Sequence, residues 1–383
     1  MRIACVCSDP DFAVFDNKPA SVHVQEMLRA FLGLGAEVHL FSPRLSDPAP
    51  RDLQRVRLHP LDPGRALGHG QDGAARALRR IALNDDLTAA LVAAHAATPV
   101  DLVYERYAPL AHAAMEWAKV RRIASILHVS APPEQGPREF ARQAEDSTRR
   151  AMSAARMVTA VSLPVADYCG DYGAILPRVV PVGVNPARFA ASAAHDGPFT
   201  LGFLGALRPW HDVDTVIESL AFVRRDLPES RLLIVGDGPD RARLERLAGA
   251  LGLADAVAFT GAVPPGHVPA HLARMSVGVA LYRPDQPCHF SPLKLYEYMA
   301  AGLPVVVSRT GGLEALTGEG RFGRVVPPES PRALARELLA LAADPQALRR
   351  MGMAARDHVQ AHHSWDGIAR DLLRRARIGV KIG

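Results

Sequence analysis

Residues 290–306, FSPLKLYEYMAAGLPVV, place a cation and a carboxylate at helical spacing. Ser291 suits a helix N-cap and Pro292 the first helical position, and the pattern continues until Gly302, where an apolar run over 304–307 follows. A helix N-terminus gathers unpaired backbone N–H groups and partial positive charge, so it takes anions readily. Lys294 in that first turn opposes the helix dipole unless an anion sits beside it. Glu297, one turn on, can accept hydrogen bonds from hydroxyl groups. A phosphate site with a hydroxyl acceptor beyond it suits a sugar nucleotide. The plain alternative is a capped helix carrying a solvated Lys–Glu pair.

Other candidate groups sit where strands give way to turns. The turn 205–212, GALRPWHD, starts at Gly205 and carries Arg208 and His211, both able to face a diphosphate. Gly236 opens GDGP, a tight turn that lets a ligand approach the backbone, or that serves only as a turn. His128 ends the apolar run SILHV and is a candidate catalytic histidine or a structural one. The segment DNKPAS, with Asn17, Lys18 and Ser21, precedes the first helix and can offer N–H groups to phosphate, but it lacks a glycine pattern and equally reads as a surface loop. No Ser-His-Asp order and no metal-ligand spacing appears, so no metal site is expected. Glu134, Glu139 and Glu145 show no pairing of an acid–base dyad.

The elements that carry these groups alternate as strand and helix. Apolar runs at 3–7, 37–41, 101–104, 124–129, 158–161 and 179–182 read as strands, with helices at 22–32, 76–97 and 110–121. Residues 46–75 are rich in Pro, Gly and Asp and read as surface loops, and 132–150 read as a polar, loosely patterned and mobile segment. After a linker at 185–198 the rhythm restarts, with strands at 200–204, 231–235, 256–259, 277–281 and 304–307 and a helical tail from Pro331. This predicts an α/β chain of two Rossmann-like doubly wound units facing across a cleft, with ligands at the carboxyl ends of the strands. The length of 383 residues and 48% hydrophobic content fit two domains. The net charge of +5 is too small to argue for nucleic acid and mildly favours anionic small molecules. Four cysteines without zinc spacing read as reduced thiols. The opening residues do not read as a signal peptide and no apolar run approaches the ~20 residues of a membrane span, so a cytoplasmic location is expected, with peripheral membrane contact left open.

Five motifs in order, VVPVGVNPARF, LGFLGALRPWHDVDTVIESL, LLIVGDGPDRARLE, VAFTGAVPPGHVPAHLARM and FSPLKLYEYMAAGLPVVVS, make the chain resemble a family-4 retaining glycosyltransferase of GT-B architecture. The likeness runs from ASVHVQEML to HHSWDGIARDLL. It implies an N-terminal acceptor-binding domain over 1–185, a nucleotide-sugar-binding domain over 186–364, and a helix over 365–383 that crosses back. It implies a nucleoside-diphosphate sugar as donor substrate, no cofactor and no metal, and an acceptor that is a small molecule, lipid or glycan. Glu297 then matches the glutamate that holds the ribose. The family's first glutamate falls at His289, which either alters sugar preference or leaves the role to backbone N–H groups of Phe290 and Ser291; His289, Phe290, Ser291 and Leu293 are thus donor-binding candidates. The usual diphosphate cations fall at Ala206 and His211, so Arg208 and Lys294 are the expected replacements. Val263 lies where backbone atoms read the nucleobase, and His128 matches a histidine near the donor sugar. Pro19 stands where the family has glycine before the small residues, and it removes an N–H. A sugar-nucleotide epimerase of the same fold, or a non-catalytic nucleotide-sugar-binding protein, is the alternative.

Overall fold

The strands are short runs of Val, Ile, Leu and Cys, buried on both faces as a parallel sheet flanked by helices requires. A computed structural model describes residues 1–46, 48–62, 73–132, 136–189, 197–284 and 292–376. These form two compact units: unit 1 takes residues 1–182 and 365–376, and unit 2 takes 183–284 and 292–364.

Unit 1 contains, in chain order, β1 (Arg2–Cys7), α1 (Pro19–Gly33), β2 (Glu37–Ser42), β3 (Arg57–Pro60), α2 (Gly73–Ala97), β4 (Leu102–Arg106), α3 (Ala113–Arg121), β5 (Ala124–Val129), α4 (Ala141–Ala154), β6 (Met157–Ala160), α5 (Leu163–Asp171) and β7 (Arg178–Val179). Its sheet is wholly parallel in the order β3-β2-β1-β4-β5-β6-β7. The order reverses direction at β1 and β4, the point where doubly wound sheets open toward ligands. Ile3, Cys5, Phe31, Leu40 and Tyr104 pack one face of the sheet and Val6, Leu83, Leu91, Val103 and Leu127 the other.

Unit 2 contains β8 (Thr200–Leu204), α6 (Val213–Asp226), β9 (Arg231–Val235), α7 (Arg241–Ala250), β10 (Val257–Phe259), α8 (Val268–Leu272), β11 (Val277–Ala280), α9 (Leu293–Ala300), β12 (Val305–Ser308), β13 (Gly323–Val326), α10 (Pro331–Ala343) and α11 (Pro345–His362). Its six strands are parallel in the order β10-β9-β8-β11-β12-β13. The last helix, α12 (Trp365–Arg375), belongs to unit 1, where it packs on α1 and buries Trp365, Leu372 and Leu373.

Three features differ from the sequence expectation. The stretch read as loops over 46–75 contains β3, a four-residue edge strand whose side chains are mostly exposed, so it carries no apolar run. The stretch read as mobile over 132–150 leads into α4, whose buried face is Ser147, Thr148, Ala151 and Met152. Small polar side chains on that face hide its helical period. The strand read at 179–182 ends at Val179.

Candidate functional site

In unit 2 the turns after β8, β9 and β10 are tied to one another at the carboxyl edge of the sheet. Gly205 N–H donates to Val235 O at 2.9 Å, Leu207 N–H to Asp237 O at 3.0 Å, and Gly236 N–H to Gly261 O at 3.0 Å. The closeness demands glycine: a Cβ on Gly236 would stand 2.0 Å from Gly205 O, and one on Gly238 2.3 Å from Leu207 O. Gly205 and Gly236 both have positive φ, at 136° and 139°.

Helix α9 follows residues 285–291, which lie outside the described residues; His289, Phe290 and Ser291 are among them. Its N-cap is Pro292, not Ser291, and Pro292 makes no side-chain cap. The helix is held by Tyr298, whose ring lies against Gly278 of β11 where a Cβ would come within 2.3 Å. The Tyr298 hydroxyl accepts from Leu204 N–H at 2.6 Å. One turn before Tyr298, on the same face, Lys294 is therefore fixed under the Gly205 turn.

Lys294 is not solvated. It is 8% exposed, and its Nζ has no hydrogen-bond partner among the described residues. The ammonium lies 4.4 Å from the Phe203 ring centroid and 5.3 Å from that of Tyr282. A Cβ on Gly205 would be 3.1 Å from it, closer than it could stay without shifting. Burial pulls its pKa down to about 7, partly opposed by Glu297. Glu297, half-buried on the next turn, and Leu293 complete the start of α9.

The two residues of the β8 turn differ in kind. Arg208 is exposed and its guanidinium stacks over Trp210 at 5.6 Å. His211 donates from Nδ1 to Ala206 O at 2.5 Å, and burial beside Lys294 lowers its pKa to about 3. It is neutral at physiological pH with Nε2 as a lone-pair acceptor, so it suits a hydroxyl and not an anion. Val263 is half-buried in the loop after Gly261.

In unit 1, His128 is 2% exposed at the end of β5. Its Nδ1 lies 3.0 Å from Thr159 Oγ1, its ring stacks on His23 at 4.5 Å, and Nε2 has no partner among the described residues. Burial, with Arg106 nearby, lowers its pKa to about 3. The 17–21 segment offers less than the sequence suggested. Ser21 is fully buried and its hydroxyl donates to Ala13 O at 2.7 Å, so it stabilises the start of α1 instead of facing a ligand. Lys18 is exposed and pairs with Asp16 at 3.6 Å, and Asn17 N–H donates to the Asp16 carboxylate at 2.7 Å. Arg106, which follows Glu105 at the end of β4, was not singled out from sequence.

Two family models match the chain in succession, Glycosyltransferase Family 4 over residues 20–188 and Glycosyl transferases group 1 over residues 185–358. A GDP-mannose-dependent alpha-(1-6)-phosphatidylinositol monomannoside mannosyltransferase of Mycolicibacterium smegmatis is 32% identical over 49% of this chain. That match spans about half the relative's length, 52%, and 54% of its Mycobacterium tuberculosis counterparts. A D-inositol 3-phosphate glycosyltransferase of Streptomyces bingchenggensis is 27% identical over 91% of this chain and 82% of its own. Among solved structures, HepE of Anabaena in complex with UDP superposes with a TM-score of 0.70 at 17% identity, over 98% of this chain and all of that one. This likeness concerns the fold, two Rossmann-like units of the GT-B kind.

Proposed function

The chain belongs to the family-4 glycosyltransferases, and from that premise we propose that it moves a glycosyl group from a nucleoside-diphosphate sugar to an acceptor hydroxyl with retention at the anomeric carbon. The observation that carries this reading is the buried ammonium of Lys294 at the start of α9, beneath the Gly205 turn and without a hydrogen-bond partner among the described residues. A desolvated cation that no hydrogen bond satisfies is costly, and an anion with oxygens at hydrogen-bond distance offsets that cost. A diphosphate at the N-terminus of α9 meets Lys294, the N–H groups of Leu293 and Lys294, and Arg208. Glu297 takes the ribose hydroxyls, Val263 the base, and the Gly205 and Gly236 turns admit the phosphates to the backbone. His289, Phe290 and Ser291 complete the donor site, and His211 accepts from a donor hydroxyl. Unit 1 binds the acceptor and carries the candidate catalytic residue His128. Residues 17 and 18 border the acceptor.

In the reaction the bond from the anomeric carbon to the diphosphate oxygen breaks as the acceptor oxygen bonds on the same face. The acceptor proton passes to the departing diphosphate oxygen. No strong protein base is needed, and stabilisation of the growing charge by Lys294 and Arg208 is the main catalytic contribution, about 3–4 kcal/mol for one well-placed donor. The GDP-mannose dependence of the mycobacterial relatives and the UDP of HepE make guanosine and uridine the first bases to try. No helix of the described residues is long and apolar enough to cross a membrane, and we place the reaction in the cytoplasm. A thermal-shift screen with UDP, GDP, ADP and dTDP tests the donor site, since the right base stabilises by mass action. Stabilisation by one base, with acceptor-dependent release of that nucleotide from its sugar conjugates, supports the reading. Binding without hydrolysis or transfer favours a nucleotide-sugar-binding protein instead, and no binding removes the donor site.

A further inference from the structure

Glu105 and Arg106 are adjacent at the end of β4, the central strand of the unit 1 sheet. Successive strand residues face opposite sides, so the fold separates them. Glu105 is in register with Val6 and Arg106 with Cys7. Glu105 is 1% exposed, its carboxyl meets Ser8 Oγ at 3.3 Å, and Oε2 has no hydrogen-bond partner among the described residues. Burial raises its pKa to about 8, so it is largely uncharged at neutral pH.

Arg106 faces the other side, beside its register partner His128. Its guanidinium lies over the Phe12 ring at 4.8 Å, and its Nε is buried without a hydrogen-bond partner among the described residues. The groups around it are Cys7, Phe12, His23, Tyr104 and His128. Burial keeps the two imidazoles, the thiol and the phenol uncharged. The nearby carboxylates Asp9 and Asp11 are taken by Arg80, at 3.2 and 2.5 Å. The result is a guanidinium oriented by an aromatic ring at the carboxyl end of the central strands, where ligands of this fold bind, with its Nε and the neighbouring His128 Nε2 both without a hydrogen-bond partner among the described residues.

We propose that Arg106, with His128 Nε2 beside it, is the receptor for an oxyanion, a phosphate or carboxylate group of the ligand that unit 1 binds. Arg106 Nε–H and one terminal N–H match two oxygens of such a group, a geometry a lysine does not reproduce. His128 contributes an N–H in the Nε2-protonated tautomer, with Thr159 Oγ1 donating to Nδ1. The identification of the oxyanion with a charged acceptor rests on the glycosyl-transfer reading; the oxyanion site itself does not.

The test follows the Arg106 Nε–H signal in protein labelled with ¹⁵N-arginine, identified by its loss in Arg106→Lys, while inorganic phosphate is titrated. The signal should move saturably with a midpoint in the millimolar range, and chloride at matched ionic strength should leave it in place. Isothermal titration with inorganic phosphate reads the variants, where Arg106→Gln should abolish the saturable binding and Arg106→Lys weaken it. A signal that phosphate does not move, or that chloride moves equally, overturns the proposal. Lys294→Ala should leave the response intact, so failure of the donor site and failure of this one are read separately. A polyol phosphate acting at tenfold lower concentration than inorganic phosphate, with the neutral polyol silent, assigns the group to the acceptor. A response to nucleoside diphosphate alone assigns it to the donor.

Discussion

The ammonium of Lys294 stands 4.4 Å from the centroid of the Phe203 ring, with no hydrogen-bond partner among the described residues. Its pKa in the folded chain is about 7, against an ordinary value of 10.5. Between those two pH values the unfolded chain binds the additional proton, so stability rises with pH across that window. Below pH 7 the folded chain holds a buried charge and bears its full cost. Urea unfolding at pH 6, 8 and 10 should show the nucleotide-free protein gaining stability relative to Lys294→Met as pH rises, with the variant the more stable at pH 6. A difference independent of pH would falsify the assignment of a desolvated ammonium.

The same group sets the pH dependence of ligand binding. A diphosphate pairs with the charged form, so its affinity should be greatest below about pH 7 and fall by up to tenfold per pH unit above it. Isothermal titration in buffers of different ionisation enthalpy should show proton uptake near pH 8. Lys294→Ala should lower turnover about a hundredfold or more. Near-normal turnover, or the absence of proton uptake, removes Lys294 from the diphosphate site.

Glu297, three residues further along α9, acts in the proposed site by accepting hydroxyl groups of the donor, far from the bonds that change. Glu297→Gln should therefore raise the dissociation constant of the nucleotide about tenfold, with a smaller effect on turnover at saturation. Calorimetry with the preferred nucleoside diphosphate decides it. An unchanged affinity transfers the ribose contact to another residue.

The doubly wound pattern was legible because parallel strands buried on both faces read as continuous apolar runs, as in residues 124–129 and 231–235. The edge strands β3 and β13 were missed, being four residues each and only partly buried. Helix α4 was missed because it buries hydroxyls: Thr148 bonds Tyr107 and Ser147 bonds His112. Lys294 and Glu297 stood out by spacing, but no spacing reveals that Phe203 and Tyr282, far away in the chain, desolvate the lysine. The separation of Glu105 from Arg106 was hidden for the converse reason, since neighbours in sequence on a strand are opposite in space.

Thr159 lies in register with His128 on the adjacent strand and its hydroxyl meets Nδ1 at 3.0 Å. That contact fixes the ring and, through the tautomer, what Nε2 offers. With a pKa of about 3, His128 stays neutral across the working range. The pH–rate profile should lack an acidic limb assignable to this residue. Thr159→Val should lower kcat about tenfold while leaving nucleotide affinity unchanged. Equal changes in both would mark Thr159 as a packing residue only.

Gly205 and Gly236 share a turn arrangement yet should respond differently to a methyl group. At Gly236 the added Cβ meets the Gly205 carbonyl at 2.0 Å, backbone against backbone, and φ is 139°. Nothing there yields cheaply, so Gly236→Ala should destabilise unit 2 by about 3 kcal/mol or more. At Gly205 the nearest atoms are Lys294 Nζ and Cε, at 3.1 and 3.3 Å, the end of a flexible side chain. The backbone strain at φ 136° costs about 1–3 kcal/mol, but the lysine can give way. In doing so it leaves the place under the turn where the proposed diphosphate meets it. Gly205→Ala should thus retain a cooperative urea transition and lose at least tenfold in nucleoside-diphosphate affinity, and the added loss on combining it with Lys294→Ala should be small. Fully additive losses would mean that the turn and the lysine serve separate sites.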